Sequence, residues 1–313
     1  VRKRPLGRTG IEVSELALGT WGLSGDAYGP VSDAEIERVI DRAVQVGITC
    51  FDTAGVYGSG AMEKKLGKRL PVGKTTVVTK IGTNTQGFPQ KQFDASFLYM
   101  SFDLAQERLA RNPVDVVLLH NPSVYTLKKD EPFQVLEDLV GQGRIKAWGV
   151  SAGSVAVAEK AVERGAQVLE MPYNVTFYGD VRKLAPLLAE REIGLLARSV
   201  LAHGLLSGHW SAEREFYPPD HRAERWNPED LKKRVEQVSV LRSIVGGPIQ
   251  SMRSAALRFV LENSQVSSAV LGPRSCAQLD QLVREAGRSP PYMVDSIMQR
   301  MMTELARAGV TGE

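Results

Sequence analysis

Four ionisable side chains stand at or just beyond the ends of successive short apolar runs. Phe51-Asp52-Thr53-Ala54 is followed by Tyr57, five residues after the aspartate; the next run ends in Lys80 and the one after in His120. A tyrosine with its ordinary pKa of about 10 is a poor acid at neutrality, but an adjacent ammonium stabilises phenolate and lowers that value. Lys80 is therefore expected to tune Tyr57 and Asp52 to hold the ammonium, while a neutral His120 orients a substrate carbonyl or relays a proton. Such an assembly is a proton donor aimed at a carbonyl oxygen. One Asp, Lys or His at a strand end is most often structural, whereas four at successive ends point to a site. Lys80 beside Tyr57 would also serve a Schiff-base aldolase, so the residues alone leave that chemistry open.

The elements that must position these groups follow from hydrophobic rhythm. Short apolar runs alternate with amphipathic stretches about eight times, which predicts parallel strands over 15–19, 48–52, 75–80, 114–120, 146–151, 168–172, 194–199 and 267–272. Helices are predicted over 33–46, 93–110, 133–143, 154–164 and 182–190. No G-x-G-x-x-G follows the first strand, and the notable polar residues recur at strand ends. Both features favour an eight-stranded (β/α)8 TIM barrel, where strand ends converge on one mouth, over an open sheet. Residues 4–13, with the Arg8-Thr9-Gly10 turn, read as an N-terminal β-hairpin that plugs the barrel floor. The stretch 209–227, with Pro218, Pro219, two His and two Trp, reads as a long loop, either a lid or disordered. It opens an insertion expected over 209–247 near the mouth, and extra helices are expected over 228–244, 249–262 and 292–308. The whole chain, 1–313, reads as one domain.

Composition excludes several classes. The 313 residues are 43% hydrophobic and 24% charged, as in an ordinary globular protein. Lys+Arg 39 against Asp+Glu 36 leaves a net charge of only +3, so nucleic acid is not an expected partner. No 18-residue apolar run occurs, so no membrane span is expected. Cys50 and Cys276 are too few and too scattered for a disulfide framework or a zinc site, and residues 1–6 lack the apolar run of a signal peptide. A reducing, cytoplasmic location is the expectation. His203, His209 and His221 lack metal spacing, and no metal is assigned.

An ordered set of fragments carries a resemblance. Phe51-Asp52-Thr53-Ala54 with Tyr57-Gly58, Thr79-Lys80, Leu118-Leu119-His120-Asn121 and Gly149-Val150-Ser151 resemble motifs of the aldo-keto reductase superfamily. So do Leu6-Gly7-Arg8-Thr9-Gly10, Leu18-Gly19-Thr20-Trp21, Gly204-Leu205-Leu206-Ser207-Gly208 and Leu271-Gly272-Pro273-Arg274-Ser275, in the same order. The resemblance implies an NADP-dependent oxidoreductase that transfers hydride between nicotinamide and an aldehyde or ketone, or the corresponding alcohol or sugar. Tyr57 would be the general acid/base, supported by Asp52 and Lys80, with His120 facing a small-molecule substrate. Along NADPH it places Thr20, Trp21, Asp52, Ser151 at the carboxamide, Glu170, then Arg198, Ser199, Val200, Leu201 and Gly204 at the nicotinamide and pyrophosphate. Gly272, Arg274, Ser275 and Gln278 would form the adenosine-phosphate site, where free N–H groups and an arginine favour NADP over NAD.

Three positions depart from that pattern. Ala152 stands where the family usually has Asn, Glu170 where it has Gln, and Leu282 where Asn often meets adenine. An ionised Glu170 would stabilise cationic oxidised nicotinamide and bias the site toward oxidation, unless Arg198 cancels its charge or it keeps a proton. Trp21, Tyr28, Phe88, Tyr125, Phe177, Trp210 and Trp226 are the candidate pocket aromatics. A sugar 1-dehydrogenase working in the oxidative direction, and an NADP-sensing partner protein like the potassium-channel auxiliary branch of the superfamily, are the alternatives. The sequence assigns no oligomeric state.

Overall fold

In the computed structural model, which describes residues 1–85 and 90–313, the apolar runs become eight parallel strands. They are β1 (Leu16–Gly19), β2 (Cys50–Asp52), β3 (Thr76–Ile81), β4 (Val114–His120), β5 (Ile145–Ser151), β6 (Val168–Pro172), β7 (Gly194–Arg198) and β8 (Val266–Leu271). They pair in sequence order and β8 closes on β1, giving a closed barrel. Every strand is buried along nearly its whole length because one face meets the barrel interior and the other meets helices.

Side-chain alternation along each strand divides the two faces. Ala17, Cys50, Val78, Val116, Leu118, Ala147, Val168 and Leu196 form one buried interior cluster. The residue two places on from Cys50 is Asp52, from Val78 Lys80, from Leu118 His120, from Val168 Glu170 and from Leu196 Arg198. The chemistry-bearing residues are thus the top inward layer of a barrel whose lower layers are apolar.

The N-terminal hairpin pairs Lys3–Pro5 with Glu12–Ser14 in antiparallel register, Arg4 opposite Val13. Leu6 and Val13 are fully buried and join the interior cluster, so the hairpin closes the floor as expected. Its approach is close. Gly7 has φ +53, and a Cβ there would lie 2.2 Å from Gly194 N, a contact only glycine permits.

The helices around the barrel include α1 (Asp33–Gln45), α2 (Ala61–Arg69), α3 (Ala95–Leu109), α4 (Glu131–Gly141), α5 (Val155–Glu163) and α6 (Gly179–Glu190). Then come α7 (Pro228–Ser239), α8 (Met252–Glu262), α9 (Cys276–Ala286) and α10 (Asp295–Arg307). Predicted and observed ends mostly agree within about two residues. Helix α2 was not predicted, since its buried face is Met62, Glu63 and Leu66, which gives almost no apolar period. Helix α10 starts three residues later than expected because the Tyr292 and Met293 N–H groups donate to Glu262 Oε2 at 2.6 and 3.0 Å instead. The 228–244 helix ends at Ser239 and continues as a 3-10 turn, Val240–Ile244. Among the described residues no helix is long and apolar enough to cross a membrane.

The floor carries a prediction. Leu6→Ala leaves a cavity beneath the barrel and is expected to cost about 3 kcal/mol of stability, read from the denaturant midpoint; an unchanged midpoint would mean that the hairpin does not seal the floor.

Candidate active site

The top inward layer meets around one ammonium. Lys80 Nζ donates to Asp52 Oδ2 at 2.6 Å and to Thr53 O at 3.1 Å, and lies 3.1 Å from Glu170 Oε2. Its side chain is 1% exposed, with Asp52 and Glu170 at 5% and 3%. Behind Glu170 stands Arg198, its Nε 3.8 Å from Oε1. Glu170 therefore has two cationic neighbours, where the sequence reading weighed Arg198 alone.

Tyr57 follows β2 in a tight turn, its N–H bonded to Ala54 O at 3.0 Å, and the left-handed Gly58 and Gly60 pass the chain into α2. Lys80 Nζ lies 5.4 Å from the Tyr57 ring centroid, and the His120 ring meets that ring edge-on at 6.2 Å. The net effect on Tyr57 is opposite to the expectation. Burial pushes its pKa up to about 12, because the attraction of Lys80 is countered by Asp52 and Glu170. Asp52 is itself raised to about 7, by burial and by the Glu170 charge, against the pull of Lys80. Burial and the cations Lys91, Lys80 and Arg198 hold His120 well below the ordinary imidazole value, so the ring is neutral.

A groove of about 1490 Å³ runs over this layer. Asp52, Tyr57, His120, Ser151, Glu170 and Arg198 line its deep end, and Gly272, Arg274 and Gln278 line it farther along. Ser151 Oγ donates to Asn121 Oδ1 at 3.2 Å. Asn174, buried, donates to Ser199 O at 2.9 Å and accepts from Thr176 N and Oγ1. Ser199, Val200, Leu201 and Gly204 follow β7 along the wall, with left-handed backbone at Ser199, Ala202, His203 and Gly204 turning the segment across the mouth.

A family profile, Aldo/keto reductase family, matches residues 15–296. The chain belongs to the aldo/keto reductase family. It is an oxidoreductase, and members of this family use nicotinamide cofactors. It is 27% identical over 296 residues to L-galactose dehydrogenase of Arabidopsis thaliana, spanning 90% of this chain and 87% of that protein. Pyridoxal 4-dehydrogenase of Microbacterium luteolum is 27% identical over 323 residues, spanning 90% and 92%. In fold it matches the glycerol dehydrogenase AKR11B4 from Gluconobacter oxydans with TM-score 0.86 at 24% identity, over 99% of this chain and 96% of that one. The holo form of the aldo-keto reductase AKR11C1 from Bacillus halodurans matches with TM-score 0.81 at 21% identity, over 100% and 98%.

In this aldo/keto reductase not every residue carried over from the family faces the groove. Thr20 is fully buried, its hydroxyl donating to Asp52 O and bonded to Thr53 Oγ1, both at 3.0 Å; it ties the end of β1 to the end of β2. Ser275 is the N-cap of α9, accepting from Gln278 N. The expected free N–H groups there are partly taken: Arg274 N donates to Gln278 Oε1 at 2.8 Å and Cys276 N to Glu35 Oε1 at 3.2 Å. The Arg274 guanidinium donates to Tyr28 O, Gly29 O and Pro30 O at 3.0, 2.8 and 3.1 Å, and its Nε is buried without a partner.

The stretch 209–227 folds over the mouth. His221 N donates to Ala27 O at 2.9 Å, and its ring packs against Trp21 at 4.7 Å and Tyr28 at 5.0 Å. His203 meets His221 at 5.2 Å, and burial with the Arg225 charge lowers both, His203 to about 3. Arg222, paired with Asp220, lies over Phe216, Tyr28 and Trp210 at 4.3, 4.6 and 5.6 Å. Trp21, Tyr28, Phe177, Trp210 and Trp226 line the groove. Tyr125 does not: it is 72% exposed, with Lys129 over its ring. Phe88 lies outside the described residues.

Sequence reasoning passed over Thr83, Lys91, Arg222, Arg253 and Gln281, all but Thr83 being ordinary surface types in a sequence, yet all five line the groove. Arg222 carries a prediction. Its three ring contacts, at about 0.5–1 kcal/mol each, hold the loop, so Arg222→Ala is expected to speed limited proteolysis within 209–227 by about tenfold; an unchanged rate would mean the loop is held elsewhere.

Proposed function

We propose that this oxidoreductase transfers hydride between NADP(H) and a small aldehyde or ketone, or the corresponding alcohol or sugar, with Tyr57 as general acid/base. The carrying observation is the convergence of Tyr57, His120 and the Asp52–Lys80–Glu170 cluster at the deep end of one long groove. The dehydrogenase names of the relatives support the alcohol direction. The whole chain, 1–313, is read as one domain, with 209–227 as its lid.

The residues present fit a nicotinamide dinucleotide phosphate. Arg198 Nε and Arg274 Nε are buried polar atoms with no hydrogen-bond partner among the described residues, and Glu170 Oε2 has only its ion pair with Lys80. A Cβ at Gly272 would meet nothing nearer than Gly19 O at 4.0 Å, so backbone there is open to close approach. Ser151, Asn174 and Glu170 would hold the nicotinamide end, Ser199 to Gly204 the middle, and Arg274 with Gln278 the adenosine phosphate. When bound, the cofactor supplies or accepts the hydride.

The chain's own residues handle the proton. With its pKa raised to about 12, Tyr57 stays protonated at neutral pH and has a proton to give to the substrate oxygen. Lys80 limits that rise, easing loss of the proton in the transition state. His120, neutral, orients the same oxygen. In the oxidative direction Tyr57 takes the alcohol proton instead, which requires phenolate and therefore favours alkaline pH.

Consumption of NADPH with an activated aldehyde tests this reading. Tyr57→Phe is expected to lower kcat by about a hundredfold or more while cofactor still binds; turnover that survives the change rules out Tyr57 as the acid. In the same assay Arg274→Met is expected to raise KM for NADPH by about tenfold and leave NADH little changed, since only the former has the 2′-phosphate. Equal effects on both coenzymes would remove the argument for NADP.

Glu170 sets a second expectation. Its carboxylate favours a cationic oxidised nicotinamide and disfavours Tyr57 phenolate. Glu170→Gln should therefore shift the ratio of NADP+ to NADPH affinity toward the reduced form by about tenfold, and move the alkaline limb of alcohol oxidation to lower pH. An unchanged affinity ratio, by titration of cofactor fluorescence, would show that Lys80 and Arg198 cancel the charge.

A further inference from the structure

Thr83 and Lys91 face each other in a short hairpin after β3, where Thr83–Asn84 pairs with Gln90–Lys91 in register Thr83 to Lys91. Their side chains form a chain that ends on the imidazole of the site. Lys91 Nζ donates to Thr83 Oγ1 at 2.9 Å, and Thr83 Oγ1 lies 3.2 Å from His120 Nδ1.

Proton counting gives this chain a direction. An ammonium only donates, so the Thr83 oxygen accepts from Lys91; its single hydrogen has no acceptor among the described residues other than His120 Nδ1, and a protonated Nδ1 would leave that hydrogen unpaired. A hydroxyl hydrogen directed at Nδ1 needs a lone pair there, which places the hydrogen of a neutral imidazole on Nε2. The His120 ring lines the groove, and Nε2 has no hydrogen-bond partner among the described residues. Among the described residues the charged groups acting on the ring are cations, Lys91 from the hairpin, Lys80 from β3 and Arg198 from β7, and Tyr57 packs against it from the turn after β2. With burial they oppose a second proton, so the ring cannot leave this tautomer by becoming imidazolium. Lys91, lowered by desolvation to about 8, is cationic at neutral pH and cannot reverse the chain.

We infer that Thr83 and Lys91 are positioning residues that hold His120 as its Nε2–H tautomer, so that this N–H and the Tyr57 hydroxyl both donate to the substrate oxygen. The inference rests on the function proposed above for its consequence, but the tautomer itself is a property of the chain alone. A carbonyl oxygen has two lone pairs, and two donors at fixed angles polarise it more than one.

The test is 15N NMR of protein labelled at histidine, without cofactor, with the His120 signals assigned by their loss in His120→Gln. The wild type is expected to show unprotonated Nδ1 and protonated Nε2 throughout neutral pH. Thr83→Val should give a mixture of tautomers and lower kcat by about tenfold, while Thr83→Ser restores both. Lys91→Met removes the ammonium, lets the hydroxyl turn and should give a partial mixture with its Nδ1 lone pair partly unpaired. A protonated Nδ1 in the wild type overturns the inference, as does an unmixed Nε2–H tautomer in both Thr83→Val and Lys91→Met. If Tyr57→Phe keeps full turnover, the proposed function falls while the NMR result still decides the tautomer.

Discussion

A single buried ammonium organises the mouth of this barrel. Lys80 comes from β3, Asp52 from its neighbour β2, and Glu170 from β6, three strands farther round the ring. Only a closed barrel brings the third group to the first two. A buried ion cluster contributes little net stability, since desolvation of each charge offsets the attraction, but it tolerates few alternative arrangements. Its value here is geometric: the same contacts that neutralise Lys80 fix its distance from Tyr57.

That neutralisation has an electrostatic consequence. Were Asp52 its only counter-charge, Lys80 would lower Tyr57 more freely. The second carboxylate, Glu170, draws on the same ammonium, and burial then prevails in setting the phenol's proton affinity. Asp52 shows the other side of the competition: burial, and then the charge of Glu170 with which it shares Lys80, push it up to about 7. Arg198 stands behind Glu170 and keeps the cluster from carrying an excess negative charge.

The legible parts of this chain were those written as periodicity. Cys50 and Asp52, Val78 and Lys80, or Leu118 and His120 are each two residues apart, so a strand assignment already places each polar member above its apolar partner. Glu170 and Arg198 obey the same rule on β6 and β7. Helix α2 was not legible, because its buried Glu63 is satisfied by Thr79 and Arg108 from other elements, and a tertiary partner leaves no mark on local pattern. Thr20 and Ser275 matched family motifs, yet each hydroxyl serves backbone close by. The direction of the Tyr57 shift was misjudged for a related reason: the sequence placed one ammonium next to the phenol but could not weigh two carboxylates and burial against it.

The groove's far end is bound to its near end by the loop after β1. Arg274 donates to three successive carbonyls of that loop, Asp26 at its bend accepts from Gly58 N at 2.7 Å next to Tyr57, and His221 packs against its Trp21 and Tyr28. An anion that recruits Arg274 must therefore compete with these carbonyls, and selectivity for it is a difference between two sets of hydrogen bonds rather than the worth of one. Because a charged acceptor forms stronger bonds than a neutral carbonyl, a phosphate has an advantage at this position that a hydroxyl lacks. The arginine is thus held in place before any ligand arrives, and what the ligand gains is reduced by what the loop gives up.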